Sequence, residues 1–143
     1  MTLEGTYTFN APRARVWALL MDPAALSSCI PGSEGLEPIG DDRYRAKVVV
    51  SVAMISGSYD GTVSILDKVE PESFRLAIEG QGKAGFVNGD ARVALREEGD
   101  TTIVDVSGTA EVGGMIARVG QRLIGSVSKM MLDRLFACLQ GKV

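Results

Sequence analysis

Acid–base chemistry in this chain would have to come from carboxylates, because the sequence contains no histidine. That count removes histidine-dependent serine and cysteine triads, HExxH zinc sites, histidine-ligated haem and the two-histidine iron triad together. Asp60, Glu79, Asp90, Asp105 and Glu111 all fall in segments of alternating polarity. Successive side chains of such a segment point to opposite faces. By that parity Glu79, Asp90, Asp105 and Glu111 oppose Ile78, Ala91, Val104 and Ala110, and Asp60 opposes Tyr59 and Gly61. A catalytic carboxyl needs burial or a charged neighbour to tune its pKa. Outward carboxylates lack both and read as solvated surface. Inward hydroxyls are few, Tyr44 and Tyr59 being the best placed. Each can orient a carbonyl or a lipid headgroup, or bond a backbone carbonyl as a core tyrosine does.

Other motifs carry less. Gly80-Gln81-Gly82-Lys83-Ala84-Gly85 satisfies GxGxxG in letters. That fingerprint works only where a helix follows, so that its N-terminus faces a pyrophosphate. Here Phe86-Val87-Asn88-Gly89-Asp90 continues as a strand, and the glycines read as a bent hairpin. Cys29 and Cys138 stand 109 positions apart, and no basic–apolar–small leader opens the chain. Free, buried thiols and a cytosolic location are expected. Two cysteines without histidine do not complete a tetrahedral zinc site unless carboxylates join, so neither metal nor cofactor is expected. Lys and Arg never cluster and the net charge is −3, which argues against nucleic acid as a partner. No apolar run approaches the ~20 residues of a membrane span.

The elements that must position these residues follow from periodicity. Leu3, Gly5, Tyr7 and Phe9 alternate with Glu4, Thr6 and Thr8, as in a half-exposed strand. Pro12 suits the first turn of a helix carrying Val16, Trp17, Leu19 and Leu20 through Met21, with Trp17 as a core anchor. Asp22-Pro23 breaks that helix and Asp22 caps a second, Ala24 to Cys29. From Glu34 to Val112 the chain reads as six strands joined by short turns, including Tyr44–Ile55, Tyr59–Val69, Phe74–Glu79, Ala91–Arg96 and Thr102–Val112. After Gly113-Gly114, Ile116, Val119, Leu123, Val127 and Met130 recur at helical spacing. They predict an amphipathic helix of about 25 residues, close to 38 Å long. The expected fold is therefore α+β, a single domain over residues 1–143. It is a helix grip, with a curved seven-stranded antiparallel sheet around the C-terminal helix and two short helices after the first strand.

The chain holds 17 glycines, about 12% against the usual ~7%. Gly89, Ala91, Gly108 and Ala110 are small on the parity that faces the helix. Small residues there leave an apolar pocket unfilled, or else allow tight helix-to-sheet contact and bending. The expected pocket lining is Tyr44, Val48, Tyr59, Val63, Leu76, Ile78, Val87, Ala91, Val106 and Ala110 from the sheet, with Leu123, Val127 and Met130 from the helix. Met115, Met130 and Met131 can supply an adaptable wall or ordinary core.

Several runs resemble a known family: Ala11-Pro12, Val16-Trp17, Leu20, Asp22-Pro23, Leu26 and Cys29-Ile30-Pro31-Gly32 with Glu34 and Leu36; Gly80-Gln81-Gly82 with Gly85-Phe86 and Gly89; and Val112-Gly113-Gly114 leading into Ile116-Ala117, Val119-Gly120 and Arg122-Leu123-Ile124. This pattern, from about Leu3 to Leu139, is similar to the carbon monoxide dehydrogenase CoxG family of the START-like (SRPBCC) superfamily. The resemblance implies a helix-grip domain enclosing an apolar ligand and an accessory role beside a molybdenum hydroxylase. It also implies peripheral contact with the inner face of the cytoplasmic membrane. Many members continue into a C-terminal tail, whereas this chain stops at Val143, which weighs against anchoring through such a tail.

Three functions remain in view. The first is a non-catalytic carrier of an isoprenoid quinone or another lipid. Burying about 300–400 Å² of such a chain offers ~8–10 kcal/mol, which association costs reduce to micromolar affinity. The second is an assembly or docking factor acting through an apolar patch near Ile30-Pro31-Gly32. The third, an aromatase- or cyclase-type enzyme, needs inward ionisable groups that the parity does not supply.

Overall fold

Residues 1–52 and 55–143 are described by the computed structural model. The alternating N-terminal segment forms β1 (Thr2–Phe9), followed by α1 (Arg13–Leu20) and α2 (Pro23–Cys29). Asp22 caps α2 as expected, its Oδ1 accepting from the Ala24 and Ala25 amides at 3.0 and 3.4 Å. Six strands follow: β2 (Ser33–Gly40), β3 (Arg43–Val50), β4 (Gly57–Val69), β5 (Ser73–Gly82), β6 (Gly85–Glu98) and β7 (Thr101–Gly113). All pairings are antiparallel in the order β1-β7-β6-β5-β4-β3-β2, so the seven expected strands form one curved sheet. At one of its two edges, β2 slips register between Ser33 and Leu36 and again between Pro38 and Gly40.

Three expectations need correction. The strand expected over Tyr44–Ile55 ends at Val50. Ser51, Val52 and Ile55 lie outside strands, and Ala53 and Met54 lie outside the described residues. Ile55 is drawn into an apolar cluster instead, and its carbonyl accepts the Tyr59 hydroxyl at 2.8 Å. The closing helix is also broken. Met115–Val119 is a 3-10 turn, and α3 proper runs from Gln121 to Gln140, 20 residues or about 30 Å. Gly120, at φ +95°, takes a backbone conformation that interrupts the helical ladder. The Ile116 amide meanwhile donates to Ala84 O at 2.8 Å and docks the turn on the β5–β6 hairpin.

The third correction concerns the cysteines. Cys29 and Cys138 are not free thiols but form a disulfide, because the end of α2 lies against the last turns of α3 with a Cα–Cα distance of 5.4 Å. That spacing is typical of a bridged pair. In the chain-entropy account, closing a loop of about 100 residues stabilises a fold by ~4.7 kcal/mol.

Apolar burial divides into two clusters. The larger joins α1, the C-terminal half of α3, β1 and the inner faces of β4–β7 around Phe9, Val16, Trp17, Phe74, Val104 and Leu139. The smaller centres on Ile55, Ile116 and Val127. Among the described residues, no helix is long and apolar enough to cross a membrane.

Candidate functional site

Within the larger cluster the grip is not filled. Alternation turns Tyr44 (β3), Val63 and Ile65 (β4), Phe74, Leu76 and Ile78 (β5), Val93 (β6) and Val106 (β7) toward the helices. They line a cavity of about 190 Å³. Its opposite wall comes from α1 and its end (Leu20, Met21), from α2 with the residue after it (Pro23, Leu26, Ile30), from Leu36 of β2, and from Leu132, Leu135, Phe136 and Leu139 of α3.

The space exists because α3 is held to one side. Its Phe136 ring stacks on Tyr7 at 4.1 Å and meets Phe9 edge-on at 6.1 Å, while Gln140 Nε2 donates to Thr8 O at 2.7 Å. Tyr7 also donates to Asp133 Oδ1 at 2.7 Å, and Lys129 Nζ approaches both, 3.0 Å from Asp133 and 3.4 Å from the Tyr7 oxygen. These contacts draw α3 onto β1, and the disulfide ties it to α2. The middle strands are left thinly covered. Ile78 is 38% exposed and Tyr44, Val63 and Leu76 are half-buried, whereas Val93 and Val104 are 3% and 0% exposed.

Five of the thirteen residues expected to line a pocket, Tyr44, Val63, Leu76, Ile78 and Val106, surround this cavity. Tyr59, Val87, Leu123, Val127 and Met130 gather instead in the smaller cluster. Val48, Ala91 and Ala110 are half-buried on the same concave face but do not line the cavity. The cavity's helical wall escaped sequence reasoning, because Leu132, Leu135, Phe136 and Leu139 lie on a different face of α3 from Leu123, Val127 and Met130. Ile30 turns into the cavity, so the segment Ile30-Pro31-Gly32 contributes to its wall.

The small residues differ among themselves. A Cβ on Gly89 would make only ordinary contacts, the nearest at 3.7 Å, so glycine there leaves space. A Cβ on Gly108 would meet Asp90 O at 2.7 Å and Ala91 Cβ at 2.9 Å. Gly108 is thus a point of close strand approach that lets the sheet bend.

Chemically the cavity is nearly bare. Tyr44 carries the only ionisable group among its described lining residues. The Tyr59 hydroxyl is committed to Ile55 O, and burial raises its pKa. The carboxylates occupy the convex face. Asp90 receives Arg75 Nε and Nη2 at 3.1 and 2.8 Å, and Asp105 receives Arg96 Nε at 2.9 Å. Hydrogen bonds from the guanidinium groups hold both carboxyls below their ordinary range. The GxGxxG letters form the β5–β6 hairpin, with Lys83-Ala84 as its turn and no helix after it. Among the described residues, no three His, Cys, Asp or Glu side chains converge to hold a metal.

Comparison with solved structures returns the same architecture. A conserved protein from Geobacillus kaustophilus is 34% identical, with 99% of this chain and 94% of that chain covered and a TM-score of 0.96. A START superfamily protein from Mycobacterium smegmatis matches with a TM-score of 0.77 at 16% identity, covering 99% of this chain and 96% of that one. A protein from Rhizobium leguminosarum matches at 0.69 and 23% identity, covering 98% and 94%. The last two show likeness of fold alone. No curated protein matches the chain. The sequence model of the CoxG subunit of carbon monoxide dehydrogenase matches residues 5–143, and the chain belongs to that family.

Proposed function

We propose that this protein holds an apolar molecule, an isoprenoid quinone or another lipid, in the cavity between α2, α3 and the middle strands, and does not transform it. The observation that carries this reading is a cavity of about 190 Å³ whose lining offers a single hydroxyl, that of Tyr44, and otherwise hydrocarbon and thioether. A dry apolar cavity of about 150 Å³ is enough to take up benzene. A quinone ring or a short prenyl segment matches that scale. The remainder of a longer chain would run over the half-buried concave face by Val48 and Ala91. Tyr44 would donate to a ring carbonyl or headgroup oxygen. With no carboxylate or amine lining the cavity, proton transfer would rest on Tyr44 alone, which supports a binding role over a catalytic one.

Membership of the family supports an accessory role beside a molybdenum hydroxylase of the carbon monoxide dehydrogenase type. In this reading contact with the cytoplasmic face of the membrane is peripheral and serves to collect or release the ligand. Trp17, the only tryptophan, meets the cavity-wall residue Phe74 edge-on at 5.5 Å and reports on occupancy. Titration with ubiquinone-2 should quench Trp17 fluorescence with micromolar affinity, and native mass spectrometry should find a co-purified apolar molecule. Absence of both, extended to a panel of menaquinones and fatty acids, would remove the proposal.

A further inference from the structure

The disulfide lies where it can govern access to the cavity. Cys29 ends α2 and Cys138 lies in the last turn of α3. The residues within a turn of each, Leu26 and Ile30 on one side and Leu135 and Leu139 on the other, all line the cavity. One covalent bond therefore fixes the separation of two cavity walls. Without that bond only non-covalent contacts hold α2 in position. It has seven residues, far fewer than an isolated helix needs to persist. It packs on α1, α3 and β2, the last an edge strand with interrupted register. Its outer side, at Ala24 and Ser28, is exposed. The two cysteines also differ in access: Cys29 is 5% exposed, while Cys138 is open to solvent.

We propose that Cys29–Cys138 is a redox latch. Oxidised, it clamps α2 over the cavity; reduced by a dithiol, it frees α2 to move away and lets ligand exchange. The consequence for exchange rests on the ligand-binding reading above, whereas the latch itself does not. A thiolate of the dithiol attacks Sγ of Cys138, forming a mixed disulfide and expelling the Cys29 thiolate, which takes up a proton. The second thiolate of the dithiol attacks its own sulfur in the mixed disulfide and expels the Cys138 thiolate, which is protonated in turn. Two electrons pass to the protein, two protons end on its cysteines, and the dithiol leaves as a cyclic disulfide.

Hydrogen exchange of the full chain, oxidised and after reduction with dithiothreitol, tests the latch, with thiol titration establishing each state. The Leu26 and Ile30 amides, which donate to Asp22 O and Leu26 O, should exchange about tenfold faster or more on reduction. Amides of the β6–β7 ladder around Val93 and Val106 report global opening, and should accelerate by no more than the stability loss that urea denaturation measures on reduction. Cys138→Ser should match the reduced protein in either buffer, and reduction of the wild type gives the same comparison if that variant folds poorly. Ubiquinone-2 should associate about tenfold faster with the reduced protein, followed through Trp17. Unchanged α2 exchange with both thiols free would overturn the latch. So would α2 amides that exchange no faster than those of the β6–β7 ladder in the reduced protein, or two free thiols in air-oxidised protein. Selective loosening of α2 with no ubiquinone-2 binding in either state would support the latch and remove the ligand-binding reading.

Discussion

Filling the cavity from within separates an adaptable void from a packed core. Val63 lies on β4, opposite Tyr44 of β3 and Ile78 of β5, and faces the cavity. At about 24 cal/mol per Å³, a void of about 190 Å³ forgoes about 4.6 kcal/mol of packing. Val63→Phe adds four carbons and occupies roughly a quarter of that space, so it should stabilise the empty protein by ~1 kcal/mol. For a domain of this size the melting temperature rises by about 4 °C. The same ring takes the volume that a quinone headgroup needs, and affinity for ubiquinone-2 should fall about tenfold or more. Urea denaturation with a constant m-value, together with quenching of Trp17, measures the two effects. A loss of about 1–3 kcal/mol is the signature of overpacking. Found with undiminished quinone affinity, that loss would refute the reasoning, because it would mean that side chains already fill the space and the ligand binds elsewhere.

Two further outcomes follow from the sheet and from the β1–α3 contact. Gly108→Ala should cost about 1–3 kcal/mol in urea denaturation because its Cβ meets backbone, while Gly89→Ala should be neutral or stabilise by up to ~1 kcal/mol; equal effects would remove the distinction between bending and spare volume. Hydrogen bonds from Tyr7 and then Lys129 hold Asp133 below its ordinary pKa of 3.8. The folded value is thus the lower one, and the stabilisation is present above the ordinary value and lost as pH falls through the folded value. Asp133→Asn should flatten the acid limb of urea midpoints measured between about pH 5 and pH 2, and a limb as steep as the wild type's would exclude Asp133 as its source.

Parity along the strands was the most legible signal. It assigns Tyr44, Val63, Leu76, Ile78 and Val106 to the concave face and the carboxylates to the convex one, because a two-residue period leaves little ambiguity once one face is apolar. The helix was harder. At about 100° per residue Leu135 and Leu139 stand about 80–160° around the helix from Leu123 and Val127, and nothing local says which set closes an end and which roofs a void. That division depends on Gly120, which stops the helical ladder and lets Ile116 dock on the hairpin. The disulfide was not legible either. Its cysteines are 109 positions apart and meet only when the fold brings α2 to the last turns of α3. Tyr7, read as one member of an alternating strand, acquires its contacts to Asp133 and Lys129 only from the tilt of α3.

The irregular edge strand bears on how such a protein survives at high concentration. An open sheet ends in unpaired amides and carbonyls that can template the strand of another copy. At β2 that row is broken by two shifts of register and by Pro38, which has no amide hydrogen to donate. Glu34 and Glu37 reach across to Lys47 and Arg45 of β3 at 3.6 and 3.9 Å, so charge lines the same border. An incoming strand meets a discontinuous ladder fringed with ions. Along this border the molecule can keep its apolar interior partly uncovered without presenting its neighbours with a regular strand to extend.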